Sequence, residues 1–187
     1  MEEKFKILGI VGSLRAQSYN KALMRAAIEM APAGVEIETV DLEGIPMYNQ
    51  DLENQPLEKV IDLKARIGAA DAILIATPEY NYSIPGVLKN AIDCASRPYG
   101  DNALANKAVA VMGASIGMSG TARAQYHLRQ CFVFLGCFAL NQPEVMVSFA
   151  QDKFDGDGRL TDQHARENIR KLLEGLVAWT KRLASSQ

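Results

Sequence analysis

Short apolar runs alternate with longer amphipathic stretches along this chain, and this alternation constrains the fold more than any other feature of the sequence. The run AILIA at 72–76 is apolar at every position, which is typical of a parallel strand covered on both faces. The amphipathic stretches repeat apolar residues three and four positions apart, which is the spacing of a helix with one buried face. The pattern predicts five strands, at 5–11, 35–40, 72–76, 108–112 and within 142–147, and five helices, at 20–30, 57–70, 86–96, 121–135 and 162–183.

Strands that alternate with helices in this way form a parallel sheet between two layers of helices, connected by right-handed crossovers. The length of 187 residues lies in the range of a single domain, roughly 100–200 residues. The sequence therefore predicts one α/β domain over residues 1–187, built as a three-layer sandwich around a five-stranded parallel sheet.

Charge and cysteine content exclude several classes of protein. The net charge is −2 with acidic and basic residues interspersed, which argues against a nucleic-acid partner. Cys94, Cys131 and Cys137 are odd in number and lack metal-ligand spacing, so neither a disulfide framework nor a metal site is expected. The longest markedly apolar run, at 131–140, is half of the ~20 residues that a membrane helix needs, and the N-terminus lacks a signal-peptide pattern. We expect a cytoplasmic protein without membrane insertion.

The loop after the first predicted strand, GSLRAQSYN at 12–20, combines hydroxyl, amide and guanidinium groups directly before a helix. Free backbone N–H groups at a helix N-terminus attract anions, so this loop can surround a phosphate. The alternative is a capping loop in which Ser18 is the N-cap and Arg15 is solvated. The loop is neither a Walker A sequence nor a GxGxxG fingerprint.

Two further loops follow the third and fourth predicted strands. The first, TPEYNYSIPG at 77–86, has two prolines that restrict the backbone, together with two tyrosines and an asparagine. This combination suits the binding of a planar heteroaromatic ring. The alternative is a turn with two tyrosines at the edge of the core. The second, GASIGMSGT at 113–121, has glycines that permit close backbone approach to a ligand, or else forms a plain flexible connection. Ligands of open parallel sheets bind beyond the carboxyl ends of the strands, where these loops meet.

Two motifs in this order, GSLRxxSxNxxL at 12–23 and PEYNxSxPGxLKNAID at 78–93, resemble the NAD(P)H-dependent FMN reductases of flavodoxin-like fold, in particular the quinone/chromate-reductase branch. The resemblance covers nearly the whole chain. It implies a flavodoxin-like sheet with strand order 2-1-3-4-5, bound FMN as cofactor and NAD(P)H as co-substrate.

The resemblance also implies which residues hold FMN. The phosphate contacts come from side chains of the first loop and, for Gln17 and Tyr19, from the backbone. The ring contacts come from the second loop, with one further contact from the third. The stretch 45–51 is similar to a family loop that borders the flavin pocket, often that of the neighbouring subunit. The implied cofactor-binding residues are Ser13, Arg15, Gln17, Ser18, Tyr19, Asn20, Pro78, Glu79, Tyr80, Asn81 and Ser115.

The implied reaction is hydride transfer from NAD(P)H through FMN to a small-molecule acceptor such as a quinone, free flavin, azo compound or chromate, in a ping-pong cycle. The flavin supplies the redox chemistry, so no catalytic side chain is expected. The resemblance favours a homodimer or homotetramer, with Arg123, Tyr126 and Glu144 as interface residues and the apolar segment 132–135 as core or interface. An FMN electron carrier without NAD(P)H activity is the alternative, although such carriers are usually strongly acidic. A regulatory protein with an empty fold is the non-enzyme alternative.

Overall fold

Strands and helices alternate through residues 4–55 and 57–185, which a computed structural model describes. The described strands are β1 (Phe5–Val11), β2 (Val35–Val40), β3 (Ala72–Ala76), β4 (Ala108–Ala114), β5 (Phe138–Ala139) and β6 (Val145–Val147). The α-helices are α1 (Tyr19–Glu29), α2 (Glu58–Ala69), α3 (Gly86–Ala95), α4 (Ala122–Leu135) and α5 (Gln163–Ala184).

All strand pairings in the sheet are parallel, in the order β2-β1-β3-β4-β5, and β6 also pairs with β4. β1 lies between β2 and β3, with Gly9 beside both Thr39 and Leu74. The predicted flavodoxin-like order is therefore confirmed. The strand order reverses between β1 and β3, and this switch point is where such sheets bind ligands.

The position beside β4 is filled by two short segments rather than by one strand, which corrects the predicted count of five. β5 pairs with the start of β4 and β6 pairs with its end. Between them, Pro143 has no N–H to donate to a ladder, and the Leu140 carbonyl accepts a hydrogen bond from the Arg129 guanidinium. The prediction found only the second segment, because residues 138–139 lie in an apolar run continuous with the preceding helix.

Side chains of β3 alternate between two apolar layers, which explains why this strand is apolar throughout. Leu74 packs with residues of α1 and α5, whereas Ile73 and Ile75 pack with α2, α3 and α4. These three side chains are at most 1% exposed. The predicted three-layer sandwich is confirmed.

Local sequence sets the ends of the helices. Ser18 caps α1 by accepting a hydrogen bond from the Asn20 N–H at 3.2 Å, and Asp162 caps α5 by accepting from the Ala165 N–H at 2.8 Å. Within the described ranges, no helix has both the length and the apolar character needed to cross a membrane.

Candidate functional site

The loops after β1, β3 and β4 meet at the carboxyl edge of the sheet and are tied to one another there. The Gly12 N–H donates to the Ala76 carbonyl at 2.9 Å, and the Thr77 N–H donates to the Met112 carbonyl at 3.0 Å. The structure therefore brings together the three loops that the sequence singles out, which lie far apart along the chain.

The segment 12–19 carries hydrogen-bond donors without protein partners. The Ser13 side chain is 4% exposed and its hydroxyl has no hydrogen-bond partner among the described residues. The Ser18 hydroxyl accepts from the Asn20 N–H but keeps its own proton to donate. Among the residues that the structure describes, the backbone N–H groups of Gln17 and Tyr19 have no hydrogen-bond partner either. Together with the N-terminus of α1, these groups could hold an anion.

Arg15 is the cation of this loop. Its exposed guanidinium donates to the Gln17 carbonyl and lies 5.6 Å from the centroid of the Tyr19 ring. Across residues 4–55 and 57–185, no carboxylate forms an ion pair with Arg15. Its charge therefore remains available for an anion at the same loop.

Asn20 connects the first loop to the third. Its side chain is 2% exposed, donates to the Ala114 carbonyl at 2.9 Å and accepts from the Ala114 N–H at 2.9 Å. The amide is thus engaged by the end of β4, and its direct effect is to fix the start of α1 against β4. The sequence implied a phosphate contact for Asn20 and held no signal for this long-range contact.

The loop after β3 forms a tight turn that presents aromatic side chains to solvent. Tyr80 and Ser83 exchange backbone hydrogen bonds of 3.1 and 2.9 Å, and the two central residues have left-handed backbone, with φ of 49° at Asn81 and 68° at Tyr82. This is the geometry of a type I′ turn. Tyr80 is 50% exposed and Tyr82 is 67% exposed, whereas Pro78 below them is buried. The turn therefore offers flat apolar surface with polar edges.

Glu79 points towards α4. Its side chain is 7% exposed, forms an ion pair with Arg123 and accepts from the backbone N–H groups of Arg123 and Ala124 at 3.1 and 3.3 Å. α4 has no side-chain cap of its own at Thr121, so Glu79 supplies that cap from another loop. The hydrogen bond to Glu79 raises the pKa of Arg123. Glu79 therefore holds the loop after β3 against the start of α4.

Backbone strain is concentrated at this edge. Thr121 is fully buried at φ 73°, an unusual conformation for a β-branched residue. Gly113 makes room for it, because a Cβ at position 113 would overlap the Thr121 hydroxyl oxygen and lie 2.5 Å from the Thr77 carbonyl oxygen. Strained residues are typical of ligand sites. Four of the five non-glycine residues with positive φ in the described ranges lie in loops at this edge: Asn81, Tyr82, Thr121 and Phe149.

The third loop leaves the sheet at Ser115. The Ser115 hydroxyl donates to the Gly117 carbonyl at 3.3 Å, and the Ser115 N–H donates to the Val147 carbonyl. Ile116 and Met118 are 68% and 80% exposed. Ser115 therefore holds its own loop against β6, while Ile116 and Met118 give the loop after β4 an exposed apolar surface.

The stretch 45–51 lies beside a separate cavity of about 500 Å³, which extends along α2 and the segment 97–103. Tyr48 donates to Glu53 at 2.5 Å, and Arg97 donates to Glu53 at 2.7 Å. The hydrogen bond to Glu53 raises the pKa of Tyr48, whereas the hydrogen bonds from Tyr48 and Arg97 lower the pKa of Glu53. This network fixes the loop against the end of α3.

The groups at the carboxyl edge fit a phosphate ester joined to a planar ring. The first loop supplies hydroxyl, backbone and guanidinium donors and no carboxylate, and the turn at 80–83 lies across the same edge with exposed aromatic surface. Sheet order and site together define a flavodoxin-like, mononucleotide-binding α/β protein.

Comparison with known proteins identifies the family. The family model described as "NADPH-dependent FMN reductase" matches residues 5–152. An NAD(P)H-dependent FMN reductase of Pseudomonas aeruginosa is 52% identical over 184 residues, covering 98% of this chain and 99% of that protein. A 2-hydroxy-1,4-benzoquinone reductase of Burkholderia is 40% identical over 176 residues, covering 94% and 96% of the two chains. The chain belongs to the NADPH-dependent FMN reductase family.

A solved structure supports the same assignment. FerB, a flavoenzyme NAD(P)H:(acceptor) oxidoreductase from Paracoccus denitrificans, superimposes with a TM-score of 0.87 at 36% identity, over 95% of this chain and 97% of that one. The predicted family and flavodoxin-like fold are therefore confirmed.

Proposed function

We propose that this protein is an FMN-dependent oxidoreductase that transfers hydride from NAD(P)H to a quinone or a similar small-molecule acceptor. The observation that carries the proposal is the cluster of unpartnered donors at 12–19, which lies at the same carboxyl edge of the sheet as the exposed turn at 80–83. The names of the relatives support the redox class and the acceptor class. We assign the cofactor to one flavodoxin-like domain over residues 1–187.

The first loop would hold the FMN phosphate. Ser13 and Ser18 would donate their hydroxyl protons, Gln17 and Tyr19 would donate backbone N–H groups, and Arg15 would contribute a charge-assisted contact. Asn20 would act by fixing this loop against β4 through its bonds to Ala114 and not by a side-chain contact to the phosphate.

The second and third loops would hold the ring. Pro78, Tyr80 and Asn81 would line it, with Glu79 holding the loop against α4 and Ser115 shaping the opposite rim. When bound, FMN would supply the hydride chemistry that links NAD(P)H to the acceptor. We assign no catalytic side chain, because the exposed turn admits water that can deliver the proton that a quinone needs. Nicotinamide and acceptor would use the same open face in turn, which is a ping-pong sequence.

Anaerobic titration of the purified holoprotein tests this proposal. We expect a yellow protein that NADH or NADPH bleaches and that benzoquinone then recolours. Initial rates should give parallel double-reciprocal lines when both substrates are varied. If neither nucleotide reduces the bound FMN, the proposed NAD(P)H-dependent activity is wrong and the electron-carrier alternative is favoured.

We further propose a cytoplasmic homodimer or homotetramer. Val133 and Phe134 on α4 are 84% and 82% exposed, and Tyr126 on the same helix is 48% exposed, an apolar surface that association would cover. Arg123 is engaged within its own chain by Glu79, so the proposed interface rests on the apolar residues. Light scattering during gel filtration should give at least twice the monomer mass, and Phe134→Asp should shift it towards the monomer. A wild-type monomer would contradict this proposal.

A further inference from the structure

Arg123 contacts the loop after β3 at two points, at its beginning and at its turn. Its guanidinium forms the ion pair with Glu79 at the beginning of the loop, and its Cζ lies 3.6 Å from the centroid of the Tyr82 ring at the turn itself. A guanidinium stacked on an aromatic face and paired with a carboxylate has a fixed orientation. Arg123 is therefore a rigid link between the start of α4 and the turn.

The turn needs support of this kind because of its backbone. Tyr82 has φ 68°, a left-handed conformation that a bulky L-residue rarely adopts without contacts that hold it. Inside the turn, only the two hydrogen bonds between Tyr80 and Ser83 oppose its relaxation.

A second contact from α4 reaches the same turn. The Ser83 hydroxyl lies 2.9 Å from His127 Nδ1, and His127 is one helical turn after Arg123. α4 itself is fixed by the Glu79 cap and by Gln125, whose amide donates to the Val145 carbonyl at 3.0 Å. The support for the turn thus comes from an anchored helix.

We propose that Arg123 is a positioning residue for the flavin: by holding Tyr82, it keeps the Tyr80–Ser83 turn in the strained conformation that lines the ring. Arg123 touches neither substrate nor cofactor in this role. The inference rests on the flavin site proposed above.

The first test is the affinity of the apoprotein for FMN, measured by flavin fluorescence, together with the visible absorption spectrum of the bound flavin. We expect Arg123→Ala to weaken FMN binding about tenfold and to shift the spectrum towards that of free FMN, because the released turn no longer lines the ring. Arg123→Lys should not restore the wild-type spectrum, since an ammonium group cannot stack as a plane.

Arg66→Ala is the matched control. Arg66 lies on α2, away from the turn, and its side chain is 36% exposed against 41% for Arg123. It also pairs with carboxylates, those of Glu38 on β2 and Asp62 on α2. Its loss should leave FMN affinity and spectrum unchanged. Equal effects of the two arginine variants would overturn the proposal.

Tyr82→Gly distinguishes positioning of the turn from general support of α4. Glycine adopts left-handed backbone without strain, so the turn no longer needs Arg123. Adding Arg123→Ala to Tyr82→Gly should therefore change FMN affinity less than about twofold. A full tenfold loss in this background would mean that Arg123 acts through Glu79 and α4, which contradicts the proposal.

Three further outcomes are distinguished by these measurements. If Arg123→Ala does not fold, Tyr82→Leu removes the aromatic face while leaving the ion pair, and unchanged FMN affinity and spectrum in that variant would refute the proposal. If the wild-type apoprotein binds no FMN at all, the proposed function fails, and this inference fails with it. If the wild type binds FMN and Arg123→Ala matches it in affinity and spectrum, only the role of Arg123 is wrong.

Discussion

Replacing Asn20 by alanine should show how strongly the first and third loops depend on one side chain. The substitution removes two hydrogen bonds of 2.9 Å and leaves both backbone groups of Ala114, a residue that is 2% exposed, without partners. Each buried backbone group left unsatisfied costs about 1–3 kcal/mol. We therefore expect the free energy of unfolding to fall by about 2–6 kcal/mol, with a melting temperature lower by about 2–4 °C for each kcal/mol lost in a chain of this size.

Urea unfolding of the apoprotein measures this loss, and FMN titration measures its effect on the site. FMN affinity should also fall, because the start of α1 is no longer fixed against β4. Asn102→Ala is a matched control: its side chain also forms two bonds, to the Leu135 carbonyl and the Leu104 N–H, but before β4 begins. It should reduce stability and leave FMN affinity unchanged. A loss below about 1 kcal/mol for Asn20→Ala would show that its two bonds to Ala114 do not hold the loops together.

Three further predictions concern single groups. Arg15→Ala should weaken FMN binding about ten- to hundredfold, because a charge-assisted contact to the phosphate is lost. The affinity for riboflavin should not change, since riboflavin has no phosphate. Equal losses of affinity for both flavins would show that Arg15 does not bind the phosphate. Gly113→Ala should destabilise the protein by about 1–3 kcal/mol in urea unfolding, because the new Cβ overlaps the Thr121 hydroxyl oxygen. Gly68→Ala should not destabilise it, because the space around that Cβ position is open. Equal stabilities of the two variants would contradict this prediction. Asp162 accepts hydrogen bonds from Lys153 and from the Ala165 N–H, and these lower the pKa of its carboxyl group. Its contribution to stability is therefore present above its unfolded pKa of ~4 and is lost as pH falls through the lower folded pKa. Asp162→Asn should flatten the plot of unfolding free energy against pH below pH ~4, and an unchanged slope there would contradict this.

The strands, helices and layers could be predicted because burial leaves a local pattern in the sequence. The run at 72–76 is apolar because Ile73 and Leu74 pack on opposite faces of the sheet. The start of α1 could be predicted in the same way, since Ser18 caps this helix through the N–H of Asn20, only two residues away. The division of the fifth strand position into β5 and β6 could not be predicted, because the hydrogen bond from Arg129 to Leu140 depends on the folded chain and not on local sequence preference.

The contacts that organise the site join residues far apart along the chain. Asn20 bonds to Ala114 across 94 residues, and Glu79 bonds to Arg123 across 44. A single sequence carries no signal for such pairs, so the motifs identified the loops but not the side chains that hold them in place. The unusual backbone of Thr121 was equally hidden, because β-branched residues rarely adopt it.

A crystal structure of the protein with FMN shows directly whether the cofactor binds at the carboxyl edge of the sheet. We expect the phosphate to lie within hydrogen-bond distance of the Ser13 and Ser18 hydroxyls and of the Gln17 and Tyr19 N–H groups, with the ring against the turn at 80–83. FMN bound elsewhere, for example in the cavity beside Arg97, would contradict the proposed site.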